Sequence, residues 1–226
     1  MKNLDKILIL AISVFVAGVV TLNLYDQYSI DKTKLPIKLE THSRFQRWLS
    51  NLEDKGVDLE ADRFTFLKDS NIYNTIWTST VSIDDELSRK MYEDNMKVLL
   101  DYKESIKSPN EREIVNFTMS DRFGFSAKDV FFYGLREDRI LRTKIANCYQ
   151  HFTCNFHRGA FIDNHVFFIM ELSQKAVPEE EFKGCELDEV CDYTFKVHLV
   201  DLNNNSRNIY ESEVVRDTYT NLFKKL

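Results

Sequence analysis

From Ile7 to Tyr25 the chain carries nineteen consecutive uncharged residues, mostly apolar, with Ser13, Thr21 and Asn23 as the polar members. A helix of that length rises about 28 Å, close to the thickness of a bilayer's hydrocarbon core. A core helix would instead show a polar face. The segment therefore predicts a retained transmembrane signal-anchor rather than a cleaved signal, because Ala17 and Gly18 are followed by further apolar residues and no A-x-A pattern. Lys2 and Lys6 precede the span, and Asp26 and Asp31 follow it before the first downstream base, Lys32. That asymmetry predicts a single-pass topology with the N-terminus cytoplasmic and the C-terminal bulk extracytoplasmic, in the periplasm if the source is bacterial. The expected division is a cytoplasmic leader at 1–6, the anchor at 7–25, a tether at 26–36 and a single extracytoplasmic α+β domain at 37–226.

Beyond the tether the hydrophobic period alternates between helix and strand. Ser43 with Gln46 has the form of a capping box, Phe45, Trp48, Leu49 and Leu52 then share one helical face, and Gly56 can close the helix. Strand-like runs follow at Asp62 to Lys68 and Asn74 to Ile83, and a second helix spans Asp85 to about Ser105 after a cap from Asp84 or Ser82. On that helix Leu87, Met91, Val98 and Tyr102 form one stripe, which Tyr92, Met96, Leu99 and Leu100 widen. So wide an apolar arc predicts cover on most sides. From Glu111 the period falls to two, giving strands at Ile114–Ser120, Ile140 to about Tyr149, His165–Ser173, Tyr193–Leu202 and Asn208–Val215. The stretch from Ser126 and Asp129 to Phe131 reads equally as a short helix or a strand, and Arg216 to Leu226 reads as a terminal helix. Strands joined by short turns, with helices towards the start, predict a mostly antiparallel sheet packed by helices, with a curved sheet closing into a calyx as the variant.

Six glycines and three prolines leave no linker-like stretch, so one domain is expected rather than two. The net charge of −6 and the dispersal of Lys and Arg along the chain argue against nucleic acid as a partner.

Chemistry is sparsely marked. The sequence has no G-x-S-x-G, phosphate-loop, dinucleotide-loop, H-E-x-x-H or C-x-x-C string. Cys148, His151, Cys154 and His157 recur at intervals of three and are all residue types that bind zinc. On a strand the cysteines and the histidines would face opposite ways, and on a helix the four would spread over about half the circumference. No metal and no cofactor are therefore expected. In an oxidising compartment the four cysteines, Cys148, Cys154, Cys185 and Cys191, are expected to form disulfides. Cys185–Cys191 is the first choice of pairing. Pairing Cys148 with Cys154 requires a turn near Gln150 and His151, because a continuous strand would hold them about 20 Å apart.

His42, His165 and His198 read as surface or hydrogen-bonded strand histidines, and the acidic stretch from Glu179 to Asp192 as a solvated segment rather than a calcium loop. The runs Phe131–Tyr133 and Val166–Met170 read as buried core, or as the lining of an apolar cavity if the sheet closes. The leading expectation is a membrane-anchored accessory or sensory module that binds a protein partner in the membrane, a small apolar ligand, or both. The layout resembles that of small bacterial accessory proteins. The alternative is a tethered, hydrolase-like enzyme, with His151, His157, Asp163 and His165 as candidate residues. A cleft holding histidine and carboxylate within hydrogen-bond reach would favour the enzyme.

Overall fold

The computed structural model describes residues 33–72, 78–122, 125–148, 154–175 and 184–226. The expected anchor and its leader lie outside these residues, and no helix among the described residues is long and apolar enough to cross a membrane.

Two antiparallel sheets form the body. The first has six strands: β1 (Thr65–Asn71), β10 (Ser206–Glu211), β9 (Val190–Asp201), β8 (Val166–Gln174) and β7 (Cys154–Phe161) in that spatial order, with β11 (Val215–Thr218) pairing the early part of β9. The second has five, ordered β2 (Thr78–Ser82), β6 (Arg139–Ala146), β5 (Phe125–Arg136), β4 (Glu113–Arg122) and β3 (Ser105–Lys107). Four helices accompany them: α1 (Ile37–Glu40), α2 (Ser43–Glu53), α3 (Glu86–Asp101) and α4 (Tyr219–Lys225) among the described residues. This is the expected α+β class. The sheets stack rather than close, so the calyx variant is corrected.

The side-chain alternation of β8 explains the layering. Phe168, Met170 and Leu172 join Phe45, Trp48, Leu49 and Leu52 of α2 in one buried cluster. Phe167 and Ile169 point the other way, into a second cluster with Val115, Phe117, Val130 and Phe132 of the five-stranded sheet. The first sheet thus lies between helices and the second sheet, and β8, an interior strand, is buried on both faces, which is why Val166 to Met170 reads as an unbroken apolar run. Burying the Phe45, Phe64, Phe168 and Phe195 side chains contributes roughly 2 to 3 kcal/mol each, before the entropy of ordering them.

Local signals set the boundaries of α2. His42, not Ser43, is its N-cap, accepting from the Arg44 backbone N–H at 3.3 Å, while Gln46 reaches back to the Glu40 carbonyl at 2.6 Å. Gly56 ends the turn beyond it at φ +79°, where a side chain would be strained.

Several expectations are corrected. Asp62 falls in a short 3-10 turn, Ala61–Arg63, ahead of β1, and the expected strand at Asn208–Val215 is two strands, β10 and β11. The stretch around Ser126 and Asp129 is strand β5. Strand β6 ends at Ala146 rather than Tyr149, and β7 was not expected. Asp85, rather than Asp84 or Ser82, caps α3, accepting from the Ser88 N–H at 2.8 Å. Cover of α3 is one-sided: Met96 is buried, whereas Leu87, Met91, Val98 and Tyr102 are exposed.

The structure bonds Cys148 to Cys154 and Cys185 to Cys191, with α-carbons 5.4 and 6.6 Å apart. The first bridge joins the end of β6 to the start of β7 and so ties the second sheet to the first. Two cystines indicate an oxidising environment.

Candidate functional site

A β-bulge organises a polar cleft. Between Phe156 opposite Glu171 and Gly159 opposite Ile169, β7 advances three residues while β8 advances two. His157 and Arg158 therefore both stand against Met170, and both line one cleft. A bulge re-aims side chains in this way. Gly159 permits it, because a Cβ there would lie 2.2 Å from the Phe168 carbonyl oxygen.

The cleft holds about 500 Å³ between α2, the α3–β3 connection and β7. Helix α2 supplies Arg44, Arg47 and Trp48, the connection supplies Lys103 and Glu104, and β5 supplies Lys128. Glu104 and Lys128 satisfy each other at 2.5 Å. Among the described residues, Arg44, Arg47, Lys103 and Arg158 have no carboxylate within ion-pair distance. Two further groups are unfulfilled: Trp48 Nε1, on a side chain that is 3% exposed, and His157 Nε2 are buried without a hydrogen-bond partner. Burial and the charges of Arg158 and Lys128 push the His157 imidazole down to about 4, so it is neutral at pH 7. Among the described residues the site therefore presents four cations without ion-pair partners, with the Trp48 side chain in its wall and the indole Nε1–H, which donates only, buried.

A second polar group lies where the β7–β8 turn meets the ends of β4, β5 and β9. The Arg136 guanidinium reaches Glu113 Oε1 at 3.4 Å, His165 Nδ1 at 3.2 Å and Asn203 Oδ1 at 2.6 Å. Glu113 is buried, its Oε2 is unpartnered, and burial pushes its carboxyl up to about 7 against the pull of Arg136 and Arg112. Its side chain lies across Gly134, the residue paired with it on β5, where a Cβ would stand 2.8 Å from Glu113 Cγ.

Of the four candidate residues from the sequence, the three described, His157, Asp163 and His165, do not share one site. His151 lies outside the described residues. His157 is in the cleft. Asp163 closes the β7–β8 turn, accepting from the backbone N–H groups of His165 at 2.7 Å and Val166 at 2.8 Å, and His165 stands 4.0 Å from Glu113 with Arg136 beside both. Among the described residues the closest histidine–carboxylate pair is instead His198 with Glu171, at 2.7 Å and buried between the sheets. His42 serves as the α2 cap.

Cys185, Glu189 and Cys191 bring donor atoms within 4.8 Å of one another, but the two sulfurs form a disulfide and carry no thiolate for a metal. Cys148 and Cys154 are likewise bonded to each other.

Sequence reading missed the cationic convergence, since Arg44, Arg47, Lys103 and Arg158 come from three elements far apart in the chain. The one local trace was Arg44-x-x-Arg47, which places two guanidinium groups on adjacent turns of α2. Comparison with protein-family models, with curated proteins and with solved structures finds no match to this chain.

Proposed function

We propose that this chain is a membrane-anchored, extracytoplasmic accessory or sensory module that acts by binding, and that the cleft between α2 and β7 takes the anionic part of its ligand. One observation carries the reading. In a protein of net charge −6, four cations without ion-pair partners meet in one concavity whose buried wall holds an unused N–H donor. Clustering like charges costs folding free energy, and a concave site focuses their field on an incoming anion. Guanidinium groups suit carboxylate and oxyanion geometry.

The address is supported separately. The uncharged stretch at 7–25 supports an anchor, with 1–6 as cytoplasmic leader and 37–226 as one extracytoplasmic domain, and the two disulfides support an oxidising compartment. A small apolar ligand would be drawn instead to the buried aromatic cluster. That is the weaker reading, because rings such as Phe45 and Phe168 already pack edge to face, with centroids 6.1 Å apart.

Isothermal titration of the full chain in nonionic detergent with sulfate and with pyrophosphate tests the proposal. Saturable binding is expected, weakened at least about tenfold by Arg47→Ala combined with Arg158→Ala, a loss in the range of two charge-assisted hydrogen bonds. A folded wild-type protein that binds neither anion contradicts it.

A further inference from the structure

We propose that α3 is a dimerisation face, on which a second copy of this chain lays its own α3 antiparallel about a two-fold axis between Asp94 and Asn95.

The helix meets its own domain along one side only. The Tyr92 ring lies 5.8 Å from that of Tyr133, the Tyr92 hydroxyl donates to the Arg112 carbonyl at 2.9 Å, and Met96 is buried. Leu87, Met91, Val98 and the C-cap Tyr102, between 46% and 71% exposed, fall within an arc of about 60° roughly a third of a turn away from that side. The row is about 22 Å long, a continuous surface rather than scattered exposure.

Its spacing selects the occupant. Leu87 and Tyr102 lie equally far from the midpoint between Asp94 and Asn95, and so do Met91 and Val98. An antiparallel copy therefore sets Leu87 against Tyr102 and Met91 against Val98, each pair occurring twice. The row is its own complement, as a two-fold interface requires.

The charges beside the row have the same property. Along one flank run Lys90, Asp94, Lys97 and Asp101, alternating in sign. The two-fold axis brings this flank against its own copy in reverse order, so that Lys90 meets the copy's Asp101 and Lys97 the copy's Asp94. Each pair is offset by two residues, about 3 Å along the axis, which a lysine side chain spans. Among the described residues Lys90 and Asp101 have no ion-pair partner in their own chain, and Lys97 stands 3.8 Å from Asp94 with both exposed. Such pairs choose an orientation more than they add affinity. A parallel copy would instead set the charged flank against the uncharged one, which carries Ser88, Asn95 and Tyr102. Four side chains cover less than the roughly 800 Å² per partner of a standard interface, so free copies pair weakly. The anchor, on the reading given above, confines copies to one membrane and raises their effective concentration.

Cross-linking tests the register. Full-length chains carrying Met91→Cys or Val98→Cys are expressed alone and together, and membrane and soluble fractions are run on non-reducing gels after mild oxidation. In the antiparallel pair, position 91 lies opposite the copy's position 98, whereas two copies of position 91 are about 10 Å apart along the axis alone, beyond disulfide reach. Co-expression should therefore give at least about fivefold more cross-linked dimer than either variant alone. Lys90→Asp in both chains should lower that yield, and Asp101→Lys added to it should restore the yield. These side chains are exposed, so the fold is retained. A mixed product no greater than with the single variants, or a yield unmoved by Lys90→Asp, overturns the proposal. Failure of the anchor shows separately, as chains in the soluble fraction.

Discussion

Glu171 Oε2 and His198 Nε2 stand 2.7 Å apart between the two sheets, with the side chains 8% and 4% exposed. Both project from the face of the first sheet turned towards the second, on adjacent strands β8 and β9. Lys196 Nζ lies 3.5 Å from the other Glu171 oxygen and donates to Ser173 Oγ at 2.7 Å, and Thr194 and Lys175 hold Glu211 at 2.9 and 2.7 Å. Charges so buried are tolerated because each finds an opposite charge or a donor.

Removing one member should expose what the pairing offsets. Burial alone would raise the Glu171 carboxyl, but the His198 hydrogen bond and charge and the Lys196 charge hold it well below the usual carboxylate range. Burial lowers the His198 imidazole despite Glu171, and its unpartnered Nδ1 fits a neutral ring. Both shifts have the same sign for stability. The His198 contribution is complete above 6.5 and erodes as pH falls below it, and that of Glu171 is complete above 4.5 and is lost as pH falls towards its lowered value. Glu171→Gln should cost about 2 to 3 kcal/mol at pH 7 and make the acid limb shallower. Urea unfolding from pH 4 to 8 measures both, and an unchanged midpoint at pH 7 would contradict the pairing.

Glu113 predicts the opposite dependence. Its carboxyl is raised from 4.5 to about 7, chiefly by burial, opposed by Arg136 and Arg112 and reinforced by Asp163. A raised folded-state pKa gives stability that is complete below 4.5 and is lost as pH rises through about 7. Glu113→Gln should therefore stabilise the protein by roughly 1 to 2 kcal/mol at pH 8, allowing for partial solvent screening, and change little at pH 5. Destabilisation at pH 8 would mean that the ionised form and its Arg136 contact dominate.

Gly159 should be intolerant of even one methyl group. A Cβ would stand 2.2 Å from the Phe168 carbonyl oxygen and 3.1 Å from Ile106 Cδ1 and Ile169 Cγ2, so β7 would have to leave β8. Gly159→Ala is expected to cost about 2 to 4 kcal/mol and to weaken anion binding by displacing His157 and Arg158. Thermal unfolding together with a sulfate titration reads both effects.

The two cystines and the expected anchor give a cellular prediction. Non-reducing peptide mapping of protein taken from membranes should recover Cys148 linked to Cys154 and Cys185 linked to Cys191. Replacing either pair by serine should cost about 2 kcal/mol through the loosened unfolded chain. The full chain should stay with membranes after a carbonate wash. A soluble form starting near residue 20 to 26 would show a cleaved signal instead.

The residues that share one periodic face were legible in the sequence. Phe45, Trp48, Leu49 and Leu52 announce α2, and Val166 to Met170 announces a strand buried on both sides. Strand β7 was not legible, because its bulge at His157 and Arg158 breaks the period of two just where the strand does something other than pair. Glu113 carries no sequence signal of its own, since its burial depends on Gly134 across the ladder. The stripe on α3 misled in the other direction: apolar spacing shows that a face exists, but not that anything covers it. The cleft is a property of tertiary structure, assembled from α2, the α3–β3 connection and β7, so no window of sequence contains it.

The central claim is that the cleft receives an anion against cations without ion-pair partners among the described residues, and Trp48, which lines the cleft, reports on it. The chain has two tryptophans, so a nitrogen–proton correlation spectrum of the full chain in nonionic detergent carries two indole signals, assignable by Trp48→Phe. On titration with sulfate, the Trp48 Nε1–H resonance should shift and saturate as negative charge enters the cleft that its side chain lines, and Arg47→Ala combined with Arg158→Ala should abolish the movement. A folded wild-type protein whose Trp48 resonance stays in place through the titration would contradict the account.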